Sequence, residues 1–298
     1  MAASTPLAGD PSALASTCHR RTLPAALTTA KIATKICLMR IVTLITDYGT
    51  GDYYVGVLKG VILSIAPEVG LVDVTHDIEP HSIMDAAFVL RQVWPCFPPG
   101  TIHLVVVDPG VGSPRRILLG RYADRFVVAP DNGLVTWLHR DYPTQAMYVI
   151  DDQRYYLPSV SATFDGRDIM APVAAHLARG VNPQAFGPLT DRVEILPLAH
   201  RAEVVEHGLR GRVIYVDRFG NLVTNIHNEQ LTSTGARRTW EVVVEGSSVG
   251  PVRRAFFEVP PGEPLAFIGS TGLLEVAVNQ GSAAQRFGRI NTIIVEQR

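Results

Sequence analysis

Asp108 closes the apolar run Val105–Val107, and two arginines, Arg115 and Arg116, return after the turn PGVGSP. A carboxylate with a guanidinium brought back beside it can orient a water molecule, take its proton and stabilise developing charge. The same residues also make a tight turn in which Asp108 bonds its own backbone. Three further clusters share this ambiguity: SATFDGRD at Ser161–Asp168, DRFGNLVTN at Asp217–Asn225 and IGSTGLLEVAVNQGSAA at Ile268–Ala284. A helix start explains the first, a hairpin the second, and a Gly-bounded strand the third.

Several chemistries are set aside. No GxxxxGK[ST] loop is present, and DPGVGSP lacks the third glycine of a dinucleotide fingerprint. Neither a G-x-S-x-G elbow nor H-E-x-x-H occurs. Lys59 is the sole lysine after Met39 and falls in an expected helix, which disfavours Schiff-base chemistry. Asp47, His76, Asp77 and Asp108 have no diagnostic metal-ligand spacing, so no metal is expected.

The elements that must position these residues follow from apolar periodicity. RIVTLITDYG, VGLVDVTHDI and TIHLVVVDPG read as strands ending in polar residues. YVGVLKGVILSI reads as a helix between the first two, and SIMDAAFVLRQVW as a helix capped by Ser82 before the third. Alternating strands and helices with nearly continuous apolar strands predict a mostly parallel sheet covered on both faces. Ligands in such sheets sit beyond the carboxyl ends of the strands, where Asp47, His76 with Asp77, and Asp108 all fall. DGRDIMAPVAAHLARG reads as a turn and a helix, with Asp168 near its start and Gly180 past its end. Beyond about Pro197, short β-rich runs such as GRVIYVD, TWEVVVEG and INTIIVEQR predict a smaller antiparallel barrel.

The fold class is therefore α/β: an α/β domain at 39–197, a linker at 198–208 and a β-barrel domain at 209–298. At 298 residues, 47% hydrophobic and 18% charged, the chain is long and apolar enough to bury a substantial core. A net charge of -1 argues against nucleic acid or an anionic membrane as partner, and no apolar run reaches bilayer length. Residues 1–38 depart from this texture, being rich in Ala, Ser and Thr with Arg20, Arg21, Lys31 and Lys35 against Asp10. They read as an extension upstream of a working start at Met39, or as a targeting segment. The three cysteines, Cys18, Cys37 and Cys96, suggest a reducing, cytoplasmic setting without a disulfide framework.

Taken in order, TDYG, VDVTHDI, VDPGVGSPRR, APDNGL, TFDGRD, DRFGNLVTNI and EVAVNQGSAA resemble the S-adenosyl-L-methionine hydroxide adenosyltransferase family, homologous to the fluorinating and chlorinating enzymes that use the same sulfonium compound. The resemblance covers the chain apart from its first 38 residues. It implies a homotrimer with sites between subunits and hydrolysis of S-adenosyl-L-methionine to adenosine and L-methionine, the sulfonium being the substrate and no cofactor being needed. It also implies that Asp47 takes the ribose diol, Asn221 and the backbone near Gln280 read the adenine edge, Phe219 lies on the adenine and Phe164 walls the pocket. Asp217 would hold the methionine ammonium and Ser270 its carboxylate.

The family's hydrolytic members place an Asp, an Arg and a His around the attacking water. Asp108 and Arg115 match the first two, but Asp165 stands where FHGRD would supply the histidine. Two carboxylates near one guanidinium leave three outcomes open: one acid serves as base, the protein binds S-adenosyl-L-methionine or adenosine without turnover, or it halogenates. Halogenation is the least favoured, because both acids repel a desolvated halide. The insertion that fluorinating enzymes carry before APDNGL is also missing here.

Overall fold

Strands β1 (Ile41–Thr46), β2 (Gly70–Thr75), β3 (Ile102–Val106), β4 (Ile117–Tyr122), β5 (Arg125–Pro130) and β6 (Thr144–Val149) form one six-stranded sheet in the order β2-β1-β3-β5-β4-β6. The computed structural model describes residues 40–197, 201–232, 240–288, 290 and 292–297. The extension 1–38, Met39, Cys18, Cys37 and residues 198–200 lie outside the described residues. The pairs β2–β1, β1–β3 and β3–β5 are parallel, while β4 runs antiparallel to both its neighbours. β1 and β3 are buried almost throughout, as continuous apolar strands covered on both faces must be.

Four helices supply that cover. α1 (Tyr54–Ile65) and α4 (Ala171–Ala178) bury Leu58, Ile62, Val173 and Ala174 against one face. α2 (Ile83–Val93) and α3 (Thr136–Asp141) bury Ala87, Leu90 and Trp137 against the other. α2 starts at Ser82, whose Oγ accepts from the Asp85 amide at 3.3 Å and satisfies one of the helix's free donors. The chain leaves β1 through α1 to reach β2 on one side, and β3 lies on β1's other side. That reversal opens a crevice at the carboxyl ends of β1 and β3.

The second sheet contains β7 (Glu203–Val205), β8 (Gly208–Val216), β9 (Leu222–His227), β10 (Trp240–Val244), β11 (Ser247–Arg253), β12 (Pro264–Ile268), β13 (Leu273–Val278) and β14 (Thr292–Gln297). β14 pairs with both β10 and β8, which closes the sheet into a barrel with no open edge at that seam. All pairings are antiparallel except β11–β12. The architecture is thus the expected mostly parallel sheet with an antiparallel barrel. β7 falls within the stretch 198–208 and pairs with the first half of β8. The barrel docks through α2, where the Phe88 and Tyr215 rings stack at 4.6 Å. Val223 and Leu273 of the barrel join the same apolar cluster as α2. Each such side chain, fully buried, contributes roughly 1.5–3 kcal/mol.

Candidate active site

Two of the three strand ends expected to share a crevice do so, those of β1 and β3. Asp47 follows β1 and Asp108 follows β3; with Asp165 and Phe164 they line a cavity of about 310 Å³. The β2 end does not join them, since His76 and Asp77 lie outside this cavity and Asp77 lines another. Arg115 does not line that cavity; it stands behind the two acids and joins them. Its Nε donates to both carboxylate oxygens of Asp108, at 2.6 and 2.7 Å, and one terminal nitrogen also contacts Asp108. The same terminal nitrogen donates to Asp165 Oδ2 at 2.7 Å. Burial alone works against the guanidinium's charge, but the two carboxylates outweigh it and hold Arg115 above its ordinary range. Both oxygens of Asp108 are engaged by this fork, whereas Asp165 Oδ1 has no hydrogen bond among the described residues. With Asp47, three carboxylates line the cavity against the one guanidinium of Arg115, a formal excess of negative charge.

The local backbone explains how these groups meet. Gly112 sits at φ +79°, and a Cβ there would collide with the Ala162 carbonyl oxygen, so the Gly-rich turn lies flush on the segment leading to Asp165. Gly166 does the same from the other side: a Cβ would stand 2.8 Å from Val106 Cγ1 and 2.9 Å from Tyr48 Oη. Gly166–Met170 forms a π-helical turn before α4, a local widening common at functional sites. Arg116 takes a different path from its neighbour. It pairs with Asp131 of APDNGL through Nε at 2.9 Å and with the Arg192 carbonyl at 2.8 Å. Asn132 of that motif donates to the Val107 carbonyl at 3.0 Å, fixing the end of β3. Asp168 is fully buried and accepts from the Ser161 amide and hydroxyl, which makes it a brace for the loop before Asp165.

Asp47 Oδ2 accepts from the His81 amide at 3.0 Å, and His81 lies at φ +68°, a left-handed backbone that costs a non-glycine residue about 1–2 kcal/mol. Tyr48 and Tyr54 pack around Phe164 with ring centroids 5.9 and 5.4 Å away. Burial, and then the charges of Asp47 and Asp108, push the Tyr48 phenol above its ordinary range, so it is a neutral donor at the cavity wall. Neither tyrosine receives a role from the sequence: Tyr48 falls in the turn of TDYG and Tyr54 in the apolar spacing of the following helix. His76 is buried beside Thr46, its Nδ1 2.9 Å from Thr46 Oγ1, and does not line this cavity.

The remaining sequence-derived residues gather elsewhere. Asp217, Phe219, Asn221, Ser270 and Gln280 all line a second cavity of about 850 Å³ on the barrel, which shares no lining residue with the first. Asp217 is the organiser of its own turn: Oδ1 accepts from the Phe219 and Asn221 amides at 2.9 and 2.8 Å, and Oδ2 from Asn221 Nδ2 at 2.8 Å. A carboxylate offers about four lone-pair sites, so a further donor can still be accepted. Phe219 is 75% exposed, and Gln280 is held at φ +56°. Glu275, which received no role from the sequence, also lines this cavity, as does Thr271. Burial, and then Asp217, push the Glu275 carboxyl above its ordinary range. Among the described residues, no group of three or more His, Cys, Asp or Glu side chains could hold a metal, and no helix is long and apolar enough to cross a membrane.

Comparison with known proteins places this geometry. A Thermus thermophilus protein named (R)-S-adenosyl-L-methionine hydrolase is 40% identical over 262 residues, covering 84% of this chain and 96% of that one. A protein of the same name from Salinispora tropica is 34% identical, covering 83% and 93%. A protein from Actinopolyspora mzabensis named fluorinase is 27% identical, covering 82% and 92%. A crystal structure of an uncharacterized conserved protein from Thermotoga maritima superposes with a TM-score of 0.79 at 36% identity, covering 85% of this chain and 99% of that one. Family models for the SAM hydroxide adenosyltransferase N-terminal and C-terminal domains match residues 42–187 and 211–290. The sheet with its strand-end acids falls in the first match and most of the barrel with its cavity in the second, so this chain belongs to the SAM hydroxide adenosyltransferase family.

Proposed function

We propose that the chain hydrolyses S-adenosyl-L-methionine to adenosine and L-methionine by in-line attack of water on the ribose 5′ carbon. The observation that carries this reading is the pair Asp108 and Asp165 on one shared Arg115, at a strand-end cavity, in a chain whose relatives are named for this hydrolysis. The sulfonium needs no acid: as the C5′–S bond breaks, its electron pair returns to sulfur and a neutral thioether leaves. What the reaction lacks is a good nucleophile. Water must be held in line and must lose a proton as the C–O bond forms, and positioning alone contributes on the order of 7–11 kcal/mol in favourable cases.

Asp165 is the base in this scheme, because its Oδ1 is unengaged while both oxygens of Asp108 are bound by Arg115. The proton passes from water to Asp165 as the water oxygen bonds C5′, while Arg115 fixes both carboxylates and offsets the negative charge they bring to the site. Asp47 takes the ribose diol, and Phe164 walls the pocket. On the barrel, Phe219 lies on the adenine, Asn221 and the backbone near Gln280 read its edge, Asp217 holds the ammonium and Ser270 the carboxylate. S-adenosyl-L-methionine is the substrate, and no cofactor enters. Because the two groups of residues line separate cavities of one chain, a complete site takes the sheet of one subunit and the barrel of the next, in a homotrimer. The exposed rings of Tyr53 and Phe219, 66% and 75% accessible, favour such a partner. A cytoplasmic setting, argued from cysteine usage, belongs to the same proposal.

Incubation with S-adenosyl-L-methionine, with and without chloride, and resolution of the products tests this reading. Adenosine and methionine in equal amounts support it. A 5′-halo-adenosine overturns it in favour of halogenation, which the net negative charge around Asp108 and Asp165 disfavours. Unchanged substrate in a stable complex overturns it in favour of a binding protein.

A further inference from the structure

Glu275 is an acid in an unexpected place. It sits in the middle of β13, opposite Phe267 of β12 and Val223 of β9, and all three line the barrel cavity. Its neighbours Leu274 and Val276 point into the barrel core, so alternation turns Glu275 outward onto the cavity. It is only 9% exposed, yet no hydrogen bond or ion pair engages its carboxyl among the described residues. Room is made for it: a Cβ on Gly269 would overlap Glu275 Oε1. A carboxylate that lines a cavity and has no protein partner is available to a donor that arrives with a ligand.

The cavity states what that is. Its lining contains Asp217 and Glu275 but no lysine, arginine or histidine, and the hydroxyl of Thr271 is buried there without a hydrogen-bond partner among the described residues. Two carboxylates among the rings of Phe219, Phe256 and Phe267 make a site for a compact cation. We infer that Glu275 is a specificity-determining residue that, together with Asp217, receives the α-ammonium group of the amino-acid portion of the ligand, so that the barrel cavity selects nucleosides carrying a cationic tail over uncharged ones. This rests on the proposed function for the identity of the ligand and adds a residue to it. The raised proton affinity of Glu275, caused first by burial and then by Asp217, agrees with two acids sharing one missing counter-charge.

The test compares three ligands on the full-length protein: S-adenosyl-L-methionine, 5′-methylthioadenosine, which lacks the amino-acid tail, and adenosine. Wild-type binding of S-adenosyl-L-methionine is measured first; if there is none, the proposed function fails independently of Glu275. Given binding, Glu275→Gln should raise Kd and KM for S-adenosyl-L-methionine about tenfold, the scale of one hydrogen bond to a charged group. It should leave the affinities for methylthioadenosine and adenosine unchanged. Glu275→Asp, which keeps the charge, should restore part of the preference and guards against a Gln variant that folds poorly. Equal weakening toward all three ligands would make Glu275 a wall residue and overturn the inference. An unchanged preference in Glu275→Gln would do the same.

Discussion

In the proposed reaction the proton acceptor is Asp165. It shares Arg115 with Asp108 yet keeps one oxygen unengaged, while Asp108 spends both of its oxygens on the fork. Holding a guanidinium and accepting a proton are separable, and an amide separates them. Asp165→Asn can still accept from Arg115 but cannot take a proton from water. Its kcat should fall by about 10²–10⁴-fold, the usual reach of general-base catalysis, with substrate binding retained. Asp165→His replaces one base with another and should keep or raise turnover. It should also introduce an acid limb near pH 6.5, about where a free imidazole protonates. Full turnover by the Asn variant would remove Asp165 from the proton path. Loss of turnover in the His variant, with binding intact, would show that a carboxylate is required there.

At the scale of elements, β3 carries the site's central acid at one end and a buried imidazole within its length. His103 Nδ1 lies 2.8 Å from Thr43 Oγ1 on β1, and its ring rests on Trp94 at 4.7 Å, with Nε2 buried and unpartnered among the described residues. Burial, and then the charge of Arg125, lower its pKa to about 3. Its value in an unfolded chain is about 6.5. Between those two values the unfolded chain binds a proton that the fold refuses, so stability falls as pH falls from about 6.5 toward 3, and is unaffected by this group above it. The slope for one proton is about 1.4 kcal/mol per pH unit. Urea unfolding of wild type and His103→Gln across this range should give a smaller slope for the variant. Identical slopes would refute the assignment.

The same elements mark how far the sequence carries. β1, β3 and α1 follow from nearly continuous apolar runs and helical spacing, because their burial is dictated by their own residues. The Ser82 cap follows for the same local reason. The convergence of Asp47 and Asp108 is legible too, since parallel strands place their ends together. What is not legible depends on contacts made across the chain. The two adjacent arginines look equivalent in sequence, yet Arg115 serves Asp108 and Asp165 while Arg116 braces Asp131. Glu275 is hidden in an ordinary strand pattern, and only the register with Phe267 and Val223 gives it a cavity to face. The turn reading of DRFGNLVTN is realised in full by Asp217, which makes the turn and lines the cavity at once.

For the whole molecule, the separation of the two cavities becomes an assembly question. Residues proposed for the nucleophile and ribose lie on the sheet, and those proposed for adenine and methionine lie on the barrel. If a site joins one subunit's sheet to the next subunit's barrel, damage on opposite halves can be complemented. Asp108→Ala spoils the sheet half of every site in its own homotrimer, and Asp217→Ala spoils the barrel half; each alone should be nearly inactive. Co-expressed in equal amounts and assembled at random, they should place an intact sheet beside an intact barrel in about one quarter of sites, since the two subunit choices are independent in a cyclic trimer. Turnover per site should therefore return to about a quarter of wild type, whereas mixing the finished homotrimers without subunit exchange should restore nothing. A site confined to one chain would give no recovery under either regime, because every subunit then carries one spoiled half. Recovery after co-expression, and none after simple mixing, is the outcome that a shared site requires.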